Sequence, residues 1–349
     1  MKSSDPLVSV VMSVYNGQPY LKRAVQSILN QTFEDFEFVI INDGSEDNSK
    51  EDLERFTKED ERIRLVQQEN RGLITSLNRG LDMARGKYIA RMDADDISHP
   101  ERLEKQVDFL DANPKVGIVG TWIEWIRSDG EPTALWRPPT DPDLIAWQLL
   151  FNTCVDHPTI VARKSLLEEL GGYARWPTHA EDYELWTRAV RETQLANLPD
   201  TLLKHRHHED SITTKKRKEQ IQMVCRSAAN LHQALLEGSS DKKIAHWLVW
   251  METKGIDRAI EETGLRDFSR VQRYLRRLYT AYTRSLCSSR VNTSVRRSAL
   301  ARLDAIASVN GGSAVKKTAQ KIKNRLMPPR FQVLPWVLVS VKEKIGLGK

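Results

Sequence analysis

The chain holds 349 residues, 40% hydrophobic and 29% charged, with a net charge of +6, a composition that suits a globular protein and excludes a disordered or collagen-like chain. Three scattered cysteines, Cys154, Cys225 and Cys287, exclude a disulfide scaffold and a cysteine-based zinc site, and no apolar run reaches the ~18–20 residues of a spanning helix. The charge is divided: residues 1–214 carry a balance of −12 and residues 215–349 a balance of +18, which suggests two halves with different surroundings.

In chain order, Lys2 and Asp5 precede the first apolar run without a signal-peptide pattern, so a cytosolic, reducing location is expected. Residues 7–14 form a short β-branched run that reads as a buried strand and ends at the turn Tyr15-Asn16-Gly17. Tyr20, Leu21, Ala24, Val25, Ile28 and Leu29 then recur at helical spacing. A second strand over 36–41 runs into Asn42-Asp43-Gly44-Ser45, and a helix begins near Asp47 to Ser49. Residues 63–67 read as a third strand, 73–84 as a helix, and 88–92 as a fourth strand that ends in Asp93, Asp95 and Asp96. This alternation predicts an α/β fold with a mostly parallel, doubly wound sheet. Ligands on such sheets bind beyond the carboxyl ends of the strands, where Tyr15 and Asn16, Asp43, and Asp93 to Asp96 converge. Clustered carboxylates are costly to bury without a cation, and hard oxygen ligands suit Mg²⁺ or Mn²⁺.

Further along, a helix is expected from Pro100 through Leu110, a strand over 116–121, loop over 122–140, a strand-like segment over 157–163, a short helix over 164–170 and a helix over 180–193. Extended structure follows over 195–213, and beyond Lys215 basic helical patterns dominate. The chain therefore divides into an α/β domain over 1–214 and a basic helical region over 215–349. The apolar tail at 328–341, bracketed by basic residues, has the composition of an interfacial membrane anchor, of a subunit contact or of a segment packed back on the domain.

Taken together, Ser9-Val10-Val11-Met12-Ser13-Val14-Tyr15-Asn16, Ile40-Ile41-Asn42-Asp43-Gly44-Ser45, Glu69-Asn70-Arg71-Gly72, Asp93-Ala94-Asp95-Asp96, Gly171-Gly172-Tyr173 and Glu181-Asp182-Tyr183-Glu184-Leu185-Trp186 resemble the motifs of a family 2 glycosyltransferase of the GT-A fold. The resemblance covers residues 6–213 and implies inverting transfer of a sugar from a nucleotide-sugar donor, of uridine type above others. It implies that Tyr15 and Asn16 line the nucleotide pocket, that Asp43 accepts a hydrogen bond from the base, that Asp93 lies near the ribose, and that Asp95 holds Mn²⁺ or Mg²⁺ against the diphosphate. Arg71 would approach phosphate. Asp182 would be the catalytic base, with His179 and Glu181 on the acceptor side. The run Arg206-x-His208-x-x-Ser211-x-Thr213 is similar to a closing segment of the family, which would bring His208 to the metal or diphosphate. His157 is expected at the acceptor side or bracing a strand.

The implied acceptor is a glycan or lipid-linked glycan, with peripheral contact to an anionic membrane and no nucleic acid as partner. Two rivals are weighed against this. A nucleotidyltransferase would need a Gly-rich basic loop after the first strand, where Tyr15-Asn16-Gly17-Gln18-Pro19 stands instead. A nucleic-acid-binding protein would use the basic half but leave the clustered acids without a purpose. The Gln-x-x-Arg-Trp motif of processive synthases is missing from the sequence, so addition of one or a few sugars is expected.

Overall fold

The computed structural model describes residues 5–176, 179–208, 216–287 and 292–309. Its first elements are β1 (Val8–Val14), α1 (Leu21–Leu29), β2 (Phe36–Asp43), α2 (Ser49–Glu59), β3 (Ile63–Gln68), α3 (Leu73–Met83) and β4 (Tyr88–Met92). β1, β2 and β4 are buried along almost their whole length. Helices cover both faces of such strands, which is why they read as continuous β-branched runs instead of alternating ones. β1 lies between β2 and β4, and β2 pairs with β3, all in parallel. α1 turns Leu21, Ala24, Val25 and Ile28 to the core; each of its larger apolar side chains contributes roughly 1.5–3 kcal/mol by leaving water.

The next elements are β5 (Ile97–Ser98), α4 (Arg102–Ala112), β6 (Val116–Ile126), β7 (Pro132–Trp136), α5 (Pro142–Gln148), β8 (Val161–Arg163), α6 (Lys164–Glu169), α7 (Glu181–Ala189) and β9 (Gln194–Arg206). The nine strands form one sheet in the order β3-β2-β1-β4-β8-β6-β9-β5, with β7 on β6. β8 runs antiparallel to β4 and β6, while β6 and β9 are parallel. The expected mostly parallel α/β architecture is present, with antiparallel insertions in its second half.

Several local expectations are corrected. Residues 122–140 are not mainly loop: β6 continues to Ile126 and returns as β7 through a turn at 127–131. The segment 157–163 is not one strand but a 3-10 turn, His157–Thr159, followed by three strand residues. Pro158 lacks the N–H that a strand ladder requires. The helix expected over 180–193 stops at Ala189, and the N–H of Gln194 already pairs with the Lys115 carbonyl.

The C-terminal half adds α8 (Arg217–Leu235), α9 (Lys242–Lys254), α10 (Ile256–Thr263), α11 (Phe268–Ser285) and α12 (Thr293–Val309). Asp241 and Asp267 cap α9 and α11 by accepting first-turn N–H bonds. Two apolar clusters fill the molecule. One joins Val8, Val10, Met12 and Val14 to α1 and α4. The other starts from Val11 and Ile89, takes in Trp147 and Trp186, and continues through Trp247, Leu275 and Ile306. Buried His232 donates from Nε2 to the Leu150 carbonyl at 2.8 Å, and the Tyr282 hydroxyl donates to the Asp143 carbonyl at 2.6 Å. The basic helices are thus packed onto the sheet domain through a shared core. Among the described residues no helix is long and apolar enough to cross a membrane. The apolar tail at 328–341 lies outside the described residues, as do Ser211 and Thr213 of the closing segment.

Candidate active site

Parallel strands leave their carboxyl ends at one edge, and the loops there are stitched to one another. Asn16 adopts a left-handed backbone, φ 52°, a conformation that Asn tolerates better than most residues. Its N–H donates to Ser45 Oγ at 3.0 Å, and its side-chain oxygen accepts from Glu46 N at 2.8 Å. Gly17 N donates to Ser49 Oγ. The loop after β1 is thereby fixed to the loop after β2, leaving Tyr15 half exposed at the rim.

Asp43, at the end of β2, is buried and already heavily engaged. Its Oδ1 accepts from Gln68 Nε2 at 2.6 Å and from Arg71 N at 2.8 Å; its Oδ2 accepts from Gly72 N at 2.9 Å. A carboxylate accepts about four such bonds, so three are used to hold the turn into α3. Gly44 has φ 74°, and a Cβ there would stand 2.6 Å from Asn70 N. Only glycine allows this approach between the two loops. The Arg71 side chain is exposed on the clamped turn.

The end of β4 carries the acids. One ligand oxygen from each of Asp93, Asp95 and Asp96 lies within 4.8 Å of the others. Their surroundings differ. Asp93 is about one-third exposed and pairs with the buried Arg91 guanidinium at 2.5 Å. Burial disfavours its charge, but Arg91, with His157 and His205 nearby, outweighs this and holds its pKa below the usual range. Asp95 faces His208, whose Nε2 is 3.0 Å from Oδ2. Asp96 is almost wholly buried; Oδ1 accepts from Arg206 N at 2.8 Å, and Oδ2 has no protein partner. Burial pushes its pKa well up; His205 opposes this, and Asp95 and Asp93 add to the rise.

Arg206 ties the cluster to β9. Its Nε donates to the Asp95 carbonyl at 2.8 Å, its Nη1 to the Arg127 and Ser128 carbonyls, and its guanidinium lies 4.4 Å from the Tyr20 ring centroid. Tyr20 also packs against His208, with ring centroids 5.3 Å apart. Donors thus converge on the acids from the end of the sheet domain, more than a hundred residues later.

α7 supplies the remaining acids. Glu181 and Asp182 occupy its first turn, where the helix dipole favours negative charge. Asp182 is half-buried, and its pKa is raised to about 7, first by desolvation and then by the neighbouring Glu181. Glu181 is raised as well, mainly by burial, with Arg91 opposing and Asp93 adding to the rise. The two acid groups are therefore electrostatic neighbours. His179, φ 71°, brings the chain into this helix. His157 is buried with Nε2 2.7 Å from the Tyr173 hydroxyl, and desolvation lowers its pKa to about 3. Its ring also packs edge-on against Trp186 of α7. His205 Nδ1 is 2.8 Å from Asp156 Oδ2, and the acids Asp96 and Asp156 outweigh burial and raise its pKa.

Arg91, Arg102, Asp156 and His205 were not among the residues expected to matter. Arg91 had a legible signal: a lone arginine in an apolar strand, two residues before an acid, has no other way to be buried. Arg102 donates to the Arg91 and Pro158 carbonyls, contacts that no spacing announces.

The sequence profile of Glycosyl transferase family 2 matches residues 9–171. The O-antigen biosynthesis glycosyltransferase WbnJ of Escherichia coli is 35% identical over 210 residues, 59% of this chain and 81% of WbnJ. The chain belongs to glycosyltransferase family 2. An uncharacterized glycosyltransferase of Haemophilus influenzae is 37% identical over 214 residues, 58% of this chain and 66% of that protein. Among solved structures, S. aureus TarS 1–349 in complex with UDP-GlcNAc aligns with TM-score 0.56 at 16% identity, covering 91% of this chain and 90% of that one. The mannosyltransferase PcManGT from Pyrobaculum calidifontis, in complex with GDP-Man and Mn²⁺, aligns with TM-score 0.53 at 16% identity, covering 93% and 86%. These structures share the GT-A fold with this family 2 chain, and the protein is a glycosyltransferase.

Proposed function

We propose that the protein transfers one sugar, with inversion, from a nucleoside-diphosphate sugar to a hydroxyl of a glycan or lipid-linked glycan in surface-polysaccharide assembly. The reading rests on one observation above others. Asp182 is a half-buried carboxylate with its pKa near 7, on an element separate from the clustered acids. A general base is most effective when its pKa lies near the working pH. WbnJ's description as an O-antigen biosynthesis enzyme supports the acceptor class.

Asp93, Asp95 and Asp96 suit a hard divalent cation such as Mn²⁺ or Mg²⁺, since their oxygens lie together and the buried Asp96 Oδ2 is left without a protein partner. When bound, such an ion offsets the negative charge on the leaving diphosphate. Asp95 is the first candidate to hold it, with His208 beside that carboxylate to orient it or to meet the diphosphate. Asp93, kept ionised by Arg91, serves the ribose. Tyr15 and Asn16 border the base, and Asp43 retains capacity for one more N–H donor, which fits uracil N3–H. Arg71, on the turn that Asp43 clamps, has a side chain free to reach phosphate.

On the acceptor side, Asp182 accepts the hydroxyl proton as that oxygen bonds to the anomeric carbon. The bond from that carbon to the diphosphate oxygen breaks in the same displacement. Glu181 raises the basicity of Asp182 and, with His179, borders the acceptor. We assign this chemistry to residues 1–214 and a buttressing and surface-docking role to 215–349. The test is a panel of UDP, dTDP and GDP sugars with Mn²⁺ or Mg²⁺, scored for metal-dependent nucleoside diphosphate release. Release from none of them, with or without metal, would overturn the reading.

A further inference from the structure

The transfer reaction makes no use of the outer face of α11. This helix buries Val271, Tyr274, Leu275, Leu278 and Tyr282 in the core. Moved two residues along, the same spacing carries Arg273, Arg276, Arg277, Thr280 and Arg284, all exposed. At 3.6 residues per turn that set lies directly opposite the buried stripe. The helix contains no Asp or Glu. Arg270 pairs with Asp241, and Arg277 donates to the Ser239 hydroxyl at 2.8 Å. Among the described residues, no carboxylate pairs with Arg273, Arg276 or Arg284. The contrast with α10 is direct: its Arg258 is matched by Glu261 and Glu262. Neighbouring α12 adds exposed Arg296 and Arg297.

We propose that this arginine face docks the protein on an anionic lipid bilayer, which deepens the reading above by supplying a membrane to present the acceptor. The row from Arg273 to Arg284 extends about 16 Å along one helix, so its guanidinium groups can meet a plane together. Guanidinium binds phosphate through paired N–H donors. A second copy does not fit this face, because a twofold pairing would set arginine against arginine.

The test uses full-length protein and two kinds of vesicle, pure phosphatidylcholine and one-third phosphatidylglycerol. The wild type should co-sediment with the anionic vesicles only, and high salt should release it. Each basic residue at an anionic surface is worth about 1 kcal/mol, so the R273Q/R276Q/R284Q triple variant should bind about a hundredfold more weakly. Its melting temperature and its rate on a soluble acceptor should match the wild type. Equal binding by the triple variant, or no preference for anionic vesicles, would overturn the proposal. So would a wild type that ignores vesicles but retards a DNA duplex. Anionic vesicle binding that depends on these arginines in a protein inactive on every donor would uphold the docking face and sink the transferase reading alone.

Discussion

The two groups of acids are built differently. At the end of β4, the acids are wired into the protein: Asp93 to Arg91, Asp95 to His208, and Asp96 to the Arg206 backbone. At the start of α7, Asp182 accepts from the Tyr183 N–H of its own helix, and burial beside Glu181 makes it a weaker acid. A charged partner, as Arg91 is to Asp93, keeps a carboxylate ionised, while desolvation that outweighs the donors, as at Asp182 and at Asp96, makes one ready to take a proton. A GT-A sheet separates these environments because the first follows a central strand and the second begins a helix about ninety residues later.

The sharpest way to break this contrast is to remove the carboxylate chemistry from α7. Asp182→Asn is expected to lower kcat by about 10²–10⁴-fold, while titration calorimetry finds donor affinity within about twofold of wild type. Asp95→Ala should do the reverse, weakening metal-dependent donor binding by about a hundredfold, because one hard ligand of several is lost; calorimetry with and without Mn²⁺ reads it. Arg91→Gln leaves Asp93 without its partner. Since Asp93 is one-third exposed, the cost should fall at about 2–3 kcal/mol, below that of a fully buried pair, seen as a lower urea midpoint. His208→Ala is the mildest, about tenfold in donor affinity, as expected when the neighbour that orients a metal ligand is lost.

Much of this was legible in the sequence. β1 to β4 and their helices follow from apolar runs of strand length alternating with helical periodicity, and buried parallel strands make that signal strong. Residues 122–140 were harder, because Trp122, Trp125, Trp136 and three prolines obscure the alternation of β6 and β7, a ribbon with a register shift at Trp125/Ile126. The site divides likewise. Asp93, Asp95 and Asp182 stand in motifs. The pairing of Arg206 with Asp96, or of His205 with Asp156, is set by β9 crossing to β5 and β6, a tertiary fact that local spacing does not carry.

The central claim is that Asp182 is the proton acceptor, tuned by burial. The pH dependence of kcat/KM with metal and donor saturating tests it most directly. A base must be ionised to act, so the rate should rise about tenfold per pH unit below 7 and level off above it, with the rise absent in Asp182→Asn. A profile flat from pH 5 to 9 in the wild type, or unchanged in Asp182→Asn, would contradict the account.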